Sequence, residues 1–114
     1  MDLKLFAKLS ELAAVPTAHL AGTKKVFLSS GDAASKLTQF AFGELAISDL
    51  VESHLHPTME EFFFFLQGTG TFYIADKKVK LQKEVFVYVP ANTPHHIINS
   101  GEDKLQFVYF GVAL

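Results

Sequence analysis

The sequence predicts an all-β domain, a sandwich, jelly roll or closed barrel, on three observations. Short runs rich in Phe, Val, Ile and Tyr recur about every ten residues. Clusters of Gly, Pro, Asn, Asp and Ser separate them. Beyond the first sixteen residues no helical period returns. The 114 residues suit a single domain, 1–114, with a barrel core over about 25–112 and an N-terminal segment 1–24.

In that N-terminal segment, Leu5, Phe6, Leu9, Leu12 and Ala13 fall at helical spacing and Pro16 would end the run. This predicts a short amphipathic helix over 3–14, although a strand lead-in accommodates the same residues. The expected strands are Lys25–Ser29, Thr38–Ile47, Val51–His56, Glu61–Gln67, Thr71–Ala75, Lys78–Leu81, Val85–Pro90, His95–Asn99 and Leu105–Val112. Two of them, through Phe62–Leu66 and Val85–Val89, are apolar on both faces, whereas a strand with one wet face alternates. A second cover is therefore expected, from the N-terminal segment or from a partner subunit, and a homodimer is the favoured reading.

Composition narrows function by exclusion. The chain is 49% apolar with 12 Phe, enough to fill a core, and its net charge of -2 offers no basic footprint for nucleic acid. All ten basic residues are Lys, so the planar fork that grips phosphates and carboxylates is missing, and an anion would fall to Lys, backbone N–H groups or a metal. The absence of Cys removes disulfides and thiolate ligands. Lys4, Lys8 and Glu11 interrupt any apolar leader, and no run reaches the roughly 20 residues of a membrane helix. A cytoplasmic protein without membrane or nucleic-acid partners is expected.

The chemistry concentrates in two stretches. In His54-Leu55-His56-Pro57-Thr58-Met59-Glu60-Glu61, the two histidines share one face of a strand about 6.6–6.8 Å apart, and either acid is placed to approach from the next strand. In Pro90-Ala91-Asn92-Thr93-Pro94-His95-His96, a Pro-bounded turn fixes the backbone before His95. Together they supply three imidazoles and a carboxylate, donors that suit one divalent transition metal ion, Mn, Fe, Ni, Co or Zn.

These motifs resemble those of the cupins. The family's first motif runs Gly, five residues, His-x-His, three or four residues, Glu, six residues, Gly; here Ser48, His54, His56, Glu61 and Gly68 hold those places. The second runs Gly, five residues, Pro-x-Gly, two residues, His, three residues, Asn; here Glu84, Pro90, Asn92, His95 and Asn99 hold them. The resemblance covers roughly residues 38–112 and implies a double-stranded β-helix, or jelly-roll barrel. Its metal ligands map onto His54, His56, Glu61 and His95. Counting to Gly68 selects Glu61 over Glu60, and strand alternation then sets Phe63 and Phe65 beside it, with Phe62 and Phe64 on the other face. Ser48, Glu84 and Asn92 replace glycines that serve tight turns. Asn92 is a mild change, while Ser48 and Glu84 imply altered turns at the barrel ends.

Phe63, Phe65, Phe107 and Tyr109 are candidate cavity walls, each also a plausible core residue. His96 should face away from His95, His19 should lie in an exposed loop, and Asn99 should bond backbone at a strand end. The facing of Tyr73, Tyr88 and Tyr109 is left open, and Lys77, Lys78, Lys80 and Lys83 read as a solvated hairpin. Cupins include dioxygenases, sugar-phosphate isomerases, decarboxylases and non-catalytic binding modules, so the motif alone leaves chemistry open. The expected function is a metalloenzyme acting on an apolar or oxygenated small molecule, dioxygenase- or isomerase-like. The alternative is a metal-stabilised binding or sensor module.

Overall fold

The computed structural model describes residues 4–18 and 21–114, so His19 lies outside the described residues. Ten antiparallel strands build it: β1 Val15–Pro16, β2 Thr23–Ser29, β3 Leu37–Leu45, β4 Leu50–His54, β5 Met59–Gln67, β6 Gly70–Ile74, β7 Lys77–Leu81, β8 Phe86–Val89, β9 His95–Ile98 and β10 Leu105–Ala113. They form a six-stranded sheet, ordered β1-β2-β3-β10-β5-β8, and a four-stranded sheet, ordered β4-β9-β6-β7. Among the described residues no helix is long and apolar enough to cross a membrane.

The inward positions of both sheets meet in one core. Phe65, Phe72, Leu81 and Leu105 are fully buried there, and Leu45, Val51, Val87, Val89 and Ile97 pack around them. Alternation along β5 is strict, with Glu61, Phe63 and Phe65 buried. Its four consecutive phenylalanines therefore serve two faces, although nothing in their own pattern says which pair turns inward.

The N-terminal helix does not form. A single 3-10 turn spans Leu9–Glu11, and Lys8 before it supplies no side-chain cap. An isolated helix this short needs an apolar face to dock, yet Leu5 and Phe6 are 80% and 92% exposed. The segment is instead laid along β2 by the Lys25 Nζ and Lys4 Nζ bonds, to Leu9 O and Val26 O. Leu5 and Phe6 border a groove with Phe27, Leu28 and Phe40, on β2 and β3. That segment leaves the outer face of β5 and β8 open: Phe64 and Phe86 are 42% and 73% exposed.

The turns that were expected to change keep left-handed backbone without glycine. Ser48, Glu84 and Asn92 have φ of 71°, 75° and 60°. Side-chain and backbone bonds hold these corners: Ala46 N donates to Asp49 Oδ2, Glu84 N to Phe65 O, and Asn92 N to His56 O. Asn99 braces the Ser48 corner, where its backbone oxygen accepts from Ser48 N, its amide donates to Leu45 O and Asp103 O, and its side-chain oxygen accepts from Gly101 N. Holding Glu in this conformation costs about 1–2 kcal/mol, against about 0.5–1 kcal/mol that glycine forfeits in unfolded-chain entropy. Glu84→Gly should therefore raise stability by about 0.5–1 kcal/mol in urea titrations, whereas Asn92→Gly should stay within a few tenths because Asn tolerates the conformation.

Candidate metal centre

Four side chains converge at one end of the core. His54 closes β4 and pairs directly with His95, which opens β9. Glu61 lies on β5, opposite Gly111 of β10 and Val89 of β8. His56 follows β4 in the connecting loop, so it is loop geometry, not strand alternation, that turns its ring. The bond from Asn92 N to His56 O at 2.7 Å ties that loop to the turn before β9. One donor atom from each of His54, His56, Glu61 and His95 falls within 4.8 Å of the others.

The tautomers follow from the backbone. His54 Nδ1 lies 2.8 Å from Glu52 O and His95 Nδ1 lies 3.0 Å from Thr93 O. A carbonyl oxygen can only accept, so each Nδ1 carries hydrogen and each neutral ring keeps its Nε2 lone pair for the centre. His56 Nε2 and His95 Nε2 each come to 3.2 Å of Glu61 Oε1. Glu61 Oε1 and His95 Nε2 are nonetheless buried without a hydrogen-bond partner. Lone pairs facing one another in a buried site repel, and a proton or a metal cation placed between them relieves that repulsion.

A single proton satisfies one of these contacts. A metal ion can engage all four donors, and the two 3.2 Å separations agree with one, since ligands about 2.0–2.2 Å from an ion and at right angles lie about 3 Å apart. Three imidazoles and a carboxylate select a transition metal over Mg or Ca. The donor set therefore fits a divalent ion of the Mn, Fe, Co, Ni or Zn group.

Beside the donors lies a cavity of about 60 Å³. His54, Glu61 and His95 border it, and Phe63, Phe107, Tyr109, Leu45, Val51 and Ile97 line much of the rest. Phe65, a candidate wall from the sequence, sits deeper, fully buried against Phe72 and Phe107. The sequence reading missed Gly43 of β3. A Cβ there would meet Phe107 ring carbons at 2.5 and 2.6 Å and Tyr109 at 3.1 Å, so only glycine lets both rings lie flat along the wall. The signal available was a glycine inside a strand, which marks a close approach.

The remaining histidine and acids separate cleanly. His96 stacks on Tyr73, ring centroids 4.2 Å apart, on the far face of the four-stranded sheet. Glu60 turns outward, where it accepts a hydrogen bond from the Tyr88 hydroxyl; that bond holds the Tyr88 phenol above its ordinary range. Glu44, beside the cavity, is engaged by Gln106 and Lys104, which hold its carboxyl below the ordinary range. Of the three tyrosines only Tyr109 enters the cavity.

Burial, and then the nearby Glu61 carboxylate, push the Tyr109 phenol up to about 12, while a hydrogen bond from Gln39 offsets part of the rise. The phenol is thus neutral throughout the physiological range. Because the folded value exceeds the unfolded one of about 10, the stability tied to it is complete below pH 10 and is lost as pH climbs toward 12. In metal-free protein, absorbance titration should show one tyrosine ionising near pH 12, a step that Tyr109→Phe removes.

Comparison with known proteins bears on this arrangement. The family model described as "Cupin domain" matches residues 42–111. An uncharacterized protein of Methanocaldococcus jannaschii is 34% identical over 55 residues, 48% of this chain and 44% of that protein, so the match spans less than half of the relative's length. The tetracenomycin polyketide synthase protein TcmJ of Streptomyces glaucescens is 20% identical over 103 residues, 90% of this chain and 69% of its own. Among solved structures, a predicted oxalate decarboxylase of Thermotoga maritima superposes with a TM-score of 0.88 at 22% identity, covering 96% of this chain and all of the other. The polyketide cyclase RemF of Streptomyces resistomycificus gives 0.80 at 13% identity, with 94% and 78% covered. These identities carry the fold and no more, but the family match takes in well over half of the sequence: the chain belongs to the cupin-domain family.

Proposed function

We propose that His54, His56, Glu61 and His95 hold one divalent transition metal ion, and that the chain is a metalloenzyme for a compact, oxygen-bearing small molecule. The observation that carries this reading is the buried Glu61 Oε1, which faces two imidazole nitrogens without a hydrogen bond. An ion bound there would supply Lewis acidity toward a carbonyl or carboxylate oxygen.

The rest of the site favours a compact ligand. A cavity of about 60 Å³ walled mostly by apolar side chains is nearer in scale to a small carboxylate or dicarbonyl compound than to a polyketide. Of the activities named for the structural relatives, that of the predicted oxalate decarboxylase is thus the better match in size. The aromatic and aliphatic walls exclude water from the oxygen they surround, which strengthens every electrostatic contact in the site. Phosphorylated substrates fit poorly, since all ten basic residues are Lys and none borders this cavity.

Tyr109 supplies the directional contact. Gln39 Oε1 accepts a bond from Lys24 Nζ at 2.6 Å, leaving the Gln39 amide to donate to the Tyr109 oxygen. The phenol hydrogen is then available to a ligand oxygen in the cavity, and the neutral phenol keeps that hydrogen at working pH. The second reading, a binding module without turnover, draws on a specific feature: apart from the proposed ligands, Tyr109 and the engaged Glu44 are the only ionisable side chains among the described cavity walls.

Metal analysis separates right from wrong at the first step. Purified protein should carry up to one divalent ion per chain, and His56→Ala or His95→Ala should abolish it. Metal retained equally by both variants would sink the assignment. A metal-dependent product from a screen of small carboxylates, diketones, catechols and sugars would establish an enzyme. Tight binding of one such compound without any product would establish the binding module. Tyr109→Phe should retain the metal yet weaken ligand binding or turnover by about tenfold, the worth of one hydrogen bond in a dry site.

A further inference from the structure

We infer that Lys24 is a positioning residue of the cavity: acting through Gln39, it turns the Tyr109 hydroxyl hydrogen toward the ligand and so fits that end of the site to a carbonyl or carboxylate oxygen. This rests on the reading of the cavity as a ligand site beside an ion, and it names what that site accepts.

The registers set both residues behind Tyr109. Lys24 of β2 pairs with Gly43, and Gly43 pairs with Phe107, so Lys24 stands on the face of the six-stranded sheet that carries the cavity wall. Residues two apart on a strand share a face. Gly43, Ala41 and Gln39 therefore follow one another along that face of β3, with Ala41 opposite Tyr109 and Gln39 opposite Gly111. Gly111 in turn lies opposite Glu61. The Lys24 side chain reaches from the Gly43 row to the Gln39 row, where its Nζ donates to Gln39 Oε1 at 2.6 Å. Neither residue borders the cavity itself. Lys25, next along β2, alternates to the other face and donates to Leu9 O.

The chain of bonds has a direction because one of its members has a single polarity. An ammonium carries three hydrogens and no lone pair, so only an oxygen can face it. A glutamine amide has a donor end and an acceptor end of nearly the same shape, and a neighbour of fixed polarity decides which way it turns. Among the described residues Lys24 forms no ion pair, and Gln39 Oε1 is its acceptor. The bond is short, as bonds from an ionised donor are. The Gln39 NH2 end is thereby left to donate to the Tyr109 oxygen.

A phenol has one hydrogen. With its oxygen accepting from Gln39, Tyr109 keeps that hydrogen for the cavity it lines. Without the ammonium, the amide can turn over and accept the phenol hydrogen, which leaves only a lone pair facing the ligand. Lys24 thus sets the sign of a contact it does not touch. A carbonyl or carboxylate oxygen answers the donor, whereas an ammonium or amide N–H has no lone pair to offer it.

Raman spectroscopy of the purified protein, with no ligand added, tests the chain of bonds directly. The intensity ratio of the tyrosine Fermi doublet distinguishes a phenol that accepts from one that donates, and the Tyr109 share follows by difference from Tyr109→Phe. Tyr109 should read as an acceptor in the wild type and in Lys24→Arg. It should move toward the donor ratio in Lys24→Met, and also in Gln39→Glu, whose carboxylate can only accept. Metal content should be unchanged in all of them. In metal-loaded protein, Lys24→Met should raise the dissociation constants of the probes oxalate, pyruvate and acetate about tenfold, the worth of one hydrogen bond. Combined with Tyr109→Phe it should raise them no further, because the two substitutions remove the same contact. An unchanged doublet in both Lys24→Met and Gln39→Glu overturns the proposal, as does full additivity with Tyr109→Phe. Loss of affinity in Lys24→Arg equal to that in Lys24→Met overturns it too, and binding of none of the three probes by the wild type overturns the ligand class. Metal missing from the wild type would instead sink the ion reading, and the doublet would still decide the role of Lys24.

Discussion

A carboxylate oxygen surrounded by imidazole lone pairs has no stable arrangement in a dry interior unless something positive sits among them. Glu61 is only 8% exposed and His95 2%, so bulk water screens the repulsion poorly, and opposed lone pairs at 3.2 Å cost more there than at a surface. The fold nonetheless holds this arrangement firmly. His54 and His95 are direct cross-strand partners, their Nδ1 atoms are locked to Glu52 O and Thr93 O, and the loop bearing His56 is bonded to Asn92. Strain preorganised in this way fits a site that pre-spends folding stability on ion binding.

Most of the supporting structure can be understood as what keeps those donors in place. The turn before β9 carries His95, and Asn92 within it both adopts the left-handed backbone and anchors His56. At the opposite corner Asn99, 1% exposed, commits both amide hydrogens and one bond to its oxygen to backbone. It clamps the end of β3 to the loop before β10, and these two strands bear the cavity wall. Gly43 on β3 then admits the Phe107 and Tyr109 rings. The site is accordingly a property of register and corner geometry across both sheets, with the ligands as its visible part.

How far this was legible in the sequence follows from which signals are local. Every strand from β2 to β10 was visible, because β-branched and aromatic runs between Gly, Pro and Asn are self-contained signals. Asn99 and His96 were placed by position and alternation alone. The N-terminal helix failed because its spacing of apolar residues promised a face, while the decision belonged to tertiary docking that leaves Leu5 and Phe6 exposed. Phe65 was set in the cavity because alternation gives a side chain's face but not its depth. Gln39 and Gly43 went unnoticed for a related reason: their roles exist only through rings contributed by β10, about seventy residues later. Left-handed Ser48 and Glu84 ran against residue preference, since neighbouring backbone bonds override the local cost.

The register of β5 shows why a glycine seven residues from the carboxylate could identify it. Glu60-Glu61-Phe62-Phe63-Phe64-Phe65 is nearly unchanged by a slip of one residue, since either acid and either pair of phenylalanines would present the same chemistry inward. Hydrophobic pattern, which normally fixes register, is therefore almost silent here. What decides is the end of the strand. Gly68 has φ of 87°, and a Cβ on it would lie 2.9 Å from Leu105 Cα and closer still to Lys104 O, so no other residue can occupy that corner. With Gly68 pinned against the start of β10, the ladder runs back through a single irregularity between Gln106 and Phe107. It then sets Glu61 opposite Gly111 and Phe63 opposite Tyr109, and sends Glu60 outward to Tyr88. The spacing from Glu61 to Gly68 is thus a physical ruler: it measures the strand from a corner only glycine can turn to the one acid that faces the histidines.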